Sequence, residues 1–116
     1  MDHTDYRYNP RYRAQVRAQM SILLTCFLTG KISVIETARA LGPYSDLPEP
    51  AFRPHLDTFA GINSETDALP VGAVRHHLAH ETLLQKDKEI AAAEYRWREP
   101  AQIAASHLTW LISSSN

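Results

Sequence analysis

Apolar residues recur at helical spacing along residues 9–29. Asn9 is suited to cap a helix, and Pro10 fits its first position, where the missing N–H costs nothing. Gly30 then supplies a C-terminal stop. The apolar positions are three or four residues apart, so they form one stripe on a helix of 3.6 residues per turn: Tyr12, Val16, Met20, Leu23 and Phe27. The pattern predicts a first helix over residues 9–29.

Two shorter helices are predicted next. Ser33 and Glu36 have the spacing of a capping box, and a short apolar face continues to Leu41 before a Gly-Pro pair ends it. Residues 51–62 again carry apolar side chains at helical spacing and predict a third helix. The polar, turn-rich segments between the helices are predicted to be loops: residues 43–50 and 61–72.

A long helix is predicted from about residue 80, after a short helical turn over residues 70–78, and the C-terminal SSSN is predicted to be a frayed tail. Pro100 removes one backbone hydrogen bond from it. The apolar stripe keeps its register across Pro100, which favours one kinked helix over two unrelated ones: Leu83, Ile90, Trp97, Ala101, Ala104, Leu108 and Leu111. No segment shows the alternation of period two that marks a strand. The sequence therefore predicts an all-α, compact bundle of four to five helices, one domain over residues 1–116, with the long C-terminal helix packed against the first.

Composition narrows the class of protein. The chain has 116 residues, of which 44% are hydrophobic and 22% charged, which is ordinary for one globular domain. Its net charge of −1 gives no basic field to attract nucleic acid. The single Cys26 lies in an apolar run and is expected to be a buried, inert thiol. Without a secretory signal or an apolar run long enough to cross a bilayer, the expected location is the cytoplasm.

Three of the six histidines fall within eight residues, VRHHLAHE at positions 74–81. His76 and His80 are four apart, the spacing of two imidazole ligands on one helix face. A catalytic zinc site needs a third ligand, and a helix that begins at about His80 would separate the pair. Ordinary boundary histidines are therefore the preferred interpretation. A small metal-dependent or His/carboxylate hydrolase, completed by carboxylates of residues 57–67, is the alternative.

Charge is distributed unevenly along the chain. Residues 43–70 carry five acidic side chains against Arg53 alone, whereas the first 20 residues carry four arginines against two aspartates. The segment YRYNPRYR (6–13) interleaves tyrosine with arginine, and a nucleic-acid-binding arm is the third-ranked interpretation. The acidic segment is suited to a cationic protein surface. The residues predicted to contact a partner are Asp46, Glu49, Asp57, Glu65, Asp67 and the nearby Arg75, which is expected to pair with Asp67 or Glu65.

Part of the chain resembles a family of small, largely uncharacterised bacterial helical proteins. The shared pattern is SETD-x-LP-x-G-x-x-R followed by a helix with KD-x-E-I, here residues 64–75 and 86–90. The resemblance covers about a third of the chain, residues 59–95. It implies a bacterial origin and a helical fold but no established activity. His76 and His80 lie outside the shared pattern.

The expected function is protein binding rather than catalysis. No glycine-rich phosphate loop, GxSxG elbow or CxxC motif is present. No catalytic, cofactor-binding or metal-binding residue is predicted. The most concrete hypothesis is a bacterial immunity protein that neutralises a cationic toxin domain, without a membrane or nucleic acid as partner. Pairing with a second copy through the Trp-bearing C-terminal helix stays open.

Overall fold

All regular secondary structure in the described part of the chain is helical. The computed structural model describes residues 9–44, 47 and 49–114, and these contain no strand. They form four α-helices: α1 (Pro10–Leu28), α2 (Val34–Leu41), α3 (Arg53–Thr66) and α4 (His80–Ser114). Three short 3₁₀-helices connect them: Gly42–Tyr44, Pro50–Phe52 and Gly72–His77. The prediction of an all-α bundle of four to five helices is confirmed.

Helix α1 begins and ends as its sequence predicts. The Asn9 side chain accepts hydrogen bonds from two backbone N–H groups of the first turn, at 2.9 and 3.2 Å. At the other end, Gly30 takes a φ of +81°, which suits a residue without Cβ. The N–H groups of Gly30 and Lys31 then donate to carbonyls of the last turn, as in a Schellman motif. Cys26 is half-buried on this helix.

Helix α2 has a complete N-terminal cap made from two parts of the chain. Ser33 and Glu36 form the predicted capping box, with reciprocal hydrogen bonds of 3.0 and 3.1 Å. The two remaining N–H groups, of Val34 and Ile35, donate to the two carboxylate oxygens of Glu94 on α4, at 2.9 Å each. The cap thus fixes α2 against α4 as well as starting the helix.

Helix α3 is longer than predicted and includes most of the SETD segment. Residues 61–72 were expected to be a loop, but the helix continues to Thr66. The buried Thr66 hydroxyl donates to the Ile62 carbonyl at 2.7 Å, and the Arg39 guanidinium donates to the carbonyls of Thr66 and Leu69 at 2.7 and 2.8 Å. These contacts satisfy the end of a helix whose local sequence favours a turn.

Helix α4 runs without interruption through Pro100 over 35 residues. The expectation of one helix rather than two is confirmed, and the exposed side of the helix carries the proline. Its fully buried residues all lie in the C-terminal two thirds: Ala93, Ala101, Ala104, Ala105, Leu108 and Ile112. Within the described residues, no helix combines the length and apolar character needed to cross a membrane.

The core lies where α1 and α3 pack against the C-terminal part of α4, as predicted for α1. Helix α2 packs on α3 and closes one side. Phe27 of α1 meets Phe59 of α3 edge to face, with ring centroids 6.4 Å apart. Because the four helices share one apolar cluster, the acidic residues of α3 are held on a rigid element rather than on a loop.

Candidate functional site

Glu49 is the first of the predicted contact residues that the structure describes, and it forms ion pairs within the fold. Its Oε2 lies 3.4 Å from Arg13 and 3.5 Å from Arg17, both on α1. The Glu49 side chain is only 15% exposed. Its neighbour in the prediction, Asp46, lies outside the described residues.

Glu65 is also paired. Its Oε2 accepts hydrogen bonds from the Trp97 indole N–H at 2.6 Å and from Arg96, both on α4. These two bonds, with the Trp97 bond the larger cause, lower the pKa of the Glu65 carboxyl. Glu65 therefore connects the exposed side of α3 to α4, in an arrangement in which its charge is already balanced.

Arg75 pairs with a residue that differs from the prediction. Its guanidinium donates two hydrogen bonds to the Asp87 carboxylate of α4, at 2.7 and 3.1 Å, and one to the Pro70 carbonyl at 3.2 Å. The expected pairing with Asp67 or Glu65 is wrong, because the 3₁₀-helix Gly72–His77 directs Arg75 towards α4 rather than back to α3. The bond to Arg75 lowers the pKa of Asp87.

Asp57 and Asp67 differ from the other predicted residues because both are exposed and form no ion pair in the described chain. Asp67 is the C-cap residue of α3 and keeps helical backbone angles, φ −64° and ψ −26°. At 100° per residue, Asp57 and Asp67 therefore share one side of the helix with Ala60 and Ser64, within an arc of about 80°. Ten residues separate the two carboxylates, which corresponds to about 15 Å along a helix. They form an acidic stripe, defined here by Asp57, Ser64 and Asp67.

A groove of about 260 Å³ lies beside the acidic stripe, between α2 and α3. Its apolar floor is formed mainly by Ala38, Leu41 and Phe59. Ser64 and Asp67 of the stripe form its rim, together with Asn63: none of these three side chains has a hydrogen-bonding partner in the described chain. The groove thus offers unused acceptors next to apolar surface.

The histidine cluster does not form one helical face. His76 and His77 lie in the 3₁₀-helix Gly72–His77, and His80 is the first residue of α4, so the predicted helix boundary at His80 is confirmed. Among the described residues, no three histidine, cysteine, aspartate or glutamate side chains lie close enough to hold a metal ion.

Sequence reasoning missed a different histidine pair. The rings of His55 on α3 and His107 on α4 lie 4.8 Å apart and are tilted by 38°. Burial, followed by the charge of His107, lowers the pKa of His55. The two residues are 52 positions apart in the sequence, and only helix packing brings them together.

Comparison of the chain with protein-family models, curated proteins and solved structures finds no match. The resemblance carried by the SETD pattern therefore stays a prediction. Within the fold, several residues of that pattern hold the α3–α4 connection together: Glu65, Thr66, Leu69, Pro70, Arg75 and Asp87. The candidate functional site is the acidic stripe with its adjoining groove.

Proposed function

We propose that this chain is a bacterial, cytoplasmic, non-enzymatic protein-binding domain, and that it acts as an immunity protein by covering a basic toxin domain. The observation that carries the proposal is the acidic stripe. Asp57 and Asp67 are the predicted contact residues in the described chain whose carboxylates are exposed and unpaired. Desolvating an unpaired carboxylate is costly unless a cation meets it, so the stripe favours a basic partner over an apolar or acidic one.

The groove suggests how a basic side chain would bind. A lysine or arginine carries its charge on a long apolar stem. The stem would lie over Ala38 and Phe59, and the charged group would meet Asp67, with Asn63 and Ser64 as further acceptors. Rigid support from the core lowers the entropy lost when such a contact forms.

The proposal is tested by co-expressing the tagged chain with the products of its neighbouring genes in the source bacterium. A basic partner is expected to copurify at equal stoichiometry and to arrest growth when it is expressed without this chain. The D57N/D67N variant should bind about tenfold more weakly or worse, because two charge contacts are lost with little change in shape.

The matched control is E81Q/E99Q, which instead removes two exposed carboxylates of α4 that form no ion pair with any described residue. It should bind like the unchanged chain. Equal affinity of D57N/D67N and E81Q/E99Q would rule out the acidic stripe as the contact surface. If none of the proteins encoded by the neighbouring genes binds this chain and none is toxic, the immunity role itself is wrong.

A further inference from the structure

A second concave region lies beside the start of α1, and its lining includes one of the predicted contact residues, Glu49. A cleft of about 440 Å³ opens between the first turns of α1, the 3₁₀-helix Pro50–Phe52 and the end of α4. Phe52, Leu111 and Pro10 contribute apolar wall, and Arg13, Arg17 and Glu49 contribute charge. An apolar cleft with a few convergent polar groups is the usual form of a small-molecule site.

The charged groups of the cleft do not satisfy one another. Arg13 and Arg17, one turn apart on α1, both approach the same oxygen of Glu49 at 3.4–3.5 Å, which is longer than the roughly 2.7–2.9 Å of a charge-assisted hydrogen bond. Among the described residues, the Arg13 Nε and the Glu49 Oε1 are buried without a hydrogen-bonding partner. Two guanidinium groups share one carboxylate, so the cluster has a net charge of +1 and N–H donors to spare.

The position on α1 increases the local positive potential. The first turn of α1 contains no acidic residue, although an acid there would be favoured by the helix dipole. Arg13 follows directly after that turn's cap-bonded residues and experiences the positive end of the dipole. An anion placed between the two arginines would offset the repulsion between their positive charges and the positive end of the helix dipole. It would also accept hydrogen bonds from the spare N–H donors.

We infer that the cleft binds a small monocarboxylate with a short alkyl chain. The planar carboxylate matches the forked donors of Arg13 and Arg17, while the alkyl chain lies against Phe52 and Leu111. A single negative charge balances the net +1 of the cluster. A phosphate dianion fits less well, because Glu49 would repel its second charge and the apolar wall would leave it poorly solvated. This site is independent of the acidic stripe on α3.

Titration of the full chain with hexanoate, followed by calorimetry and by backbone amide NMR shifts, tests the inference. We expect saturable binding in the millimolar range, about what a ligand of this size can reach, with shifts centred on Arg13, Arg17 and Phe52. Acetate, which lacks the alkyl chain, and hexanol, which lacks the charge, should each bind at least tenfold more weakly.

Three variants sharpen the result. R13Q/R17Q should lose at least tenfold in hexanoate affinity, whereas R11Q, which removes an exposed arginine of the same first turn outside the cleft, should bind unchanged. E49Q should bind more tightly, because it removes the carboxylate that competes with the ligand for both arginines.

The inference is wrong if hexanoate gives no saturable shifts at about 10 mM, or if inorganic phosphate binds the cleft as tightly. It is also wrong if E49Q weakens hexanoate binding while the circular dichroism spectrum keeps its helical content. The amide chemical-shift changes of the unchanged chain on titration with hexanoate test the inference even if R13Q/R17Q fails to fold.

Discussion

Glu94 is a residue whose role depends on a helix that lies 60 positions earlier in the sequence. Its two carboxylate oxygens accept the N–H groups of Val34 and Ile35, and the contact is partly buried. A carboxylate at a helix N-terminus gains from the helix dipole as well as from the two hydrogen bonds. Losing the carboxylate would leave two backbone donors of α2 without a protein partner.

Replacing Glu94 by alanine should lower the free energy of unfolding by about 1–3 kcal/mol, the cost of unsatisfied, partly buried hydrogen-bond donors. Urea unfolding followed by circular dichroism measures the effect. E99A is the matched control, because Glu99 is exposed on the same helix and unpaired in the described chain. E94Q, which keeps one acceptor oxygen, should fall between them. Equal stability of E94A and E99A would contradict the capping role.

The two tryptophans of α4 should differ sharply in their contribution to stability. Trp97 packs against the core, and its indole N–H donates a hydrogen bond to Glu65. Trp110 is 67% exposed. W97A should therefore cost about 2–3 kcal/mol of unfolding free energy and W110A within about 0.5 kcal/mol. Tryptophan fluorescence during denaturant unfolding of each variant separates the two, and similar losses would show that Trp110 is also packed.

At the residue scale, the sequence predicts local contacts well and distant ones poorly. The capping roles of Asn9 and of the Ser33–Glu36 pair depend on spacings of two or three residues, which can be read directly. The contacts of Glu94 and Arg39 join residues about 27 to 60 positions apart. They depend on how helices pack, and a single sequence does not contain that information in any local pattern.

At the element scale, the stability contributed by the packing of α3 on α4 at His55 and His107 should depend on pH. The pKa of His55 is lowered in the folded chain by burial and by His107. The unfolded chain therefore binds more protons, and stability falls as pH decreases through the unfolded value of about 6.5 towards the lower folded value. Above that window both states are neutral at His55 and the effect disappears.

The H107Q variant should lose part of this pH dependence, because the positive charge that opposes His55 protonation is removed. The measurement is the urea midpoint at pH 5 and at pH 7. The difference between the two midpoints should be smaller for H107Q than for the unchanged chain. H77Q, which removes an exposed histidine of the 3₁₀-helix Gly72–His77, should leave the difference as it was. If the difference between the two urea midpoints is as large in H107Q as in the unchanged chain, His107 does not contribute to the pH dependence of stability.

The pair of Arg75 and Asp87 fixes the connection between α3 and α4 to the start of α4. D87N should increase amide hydrogen exchange in residues 70–78. D57N, the same change at an aspartate with no ion pair in the described chain, should not. The folded pKa of Asp87 is depressed, so the pair contributes above the unfolded value of about 3.8 and is lost as pH falls below it. The unchanged chain and D87N should therefore converge in acid. Unequal exchange at the lowest pH would contradict an ion-pair origin.

The element that the sequence predicts least well is the end of α3. Asn63, Ser64 and Thr66 favour turns, and their local pattern predicts a loop. The helix persists because the Thr66 side chain is buried and Arg39 satisfies the terminal carbonyls. Tertiary contacts thus override a local preference worth a few tenths of a kcal/mol per residue. The acidic residues could be found from composition, but which of them stay unpaired could not, because Glu49 and Glu65 find their partners only in the folded chain.

At the scale of the whole molecule, α4 is the element that the others share. Its 35 residues correspond to about 52 Å of helix, which matches the longest dimension of the fold, 51 Å. None of its residues before Ala93 is fully buried. The N-terminal third of α4 is held to the preceding segment by the Arg75–Asp87 pair, while the C-terminal part belongs to the core.

The cap of α2 has a kinetic consequence for how the chain folds. An eight-residue helix is too short to be stable alone, and two of the N–H groups at its start are satisfied only by a residue of α4. We therefore expect α2 to form after α1 and α4 have paired, late on the folding pathway. Stopped-flow measurements on E94A should then show faster unfolding with an almost unchanged refolding rate. Slower refolding would instead place α2 in the folding nucleus. If α2 forms last, the helices assemble in an order that differs from their order along the chain.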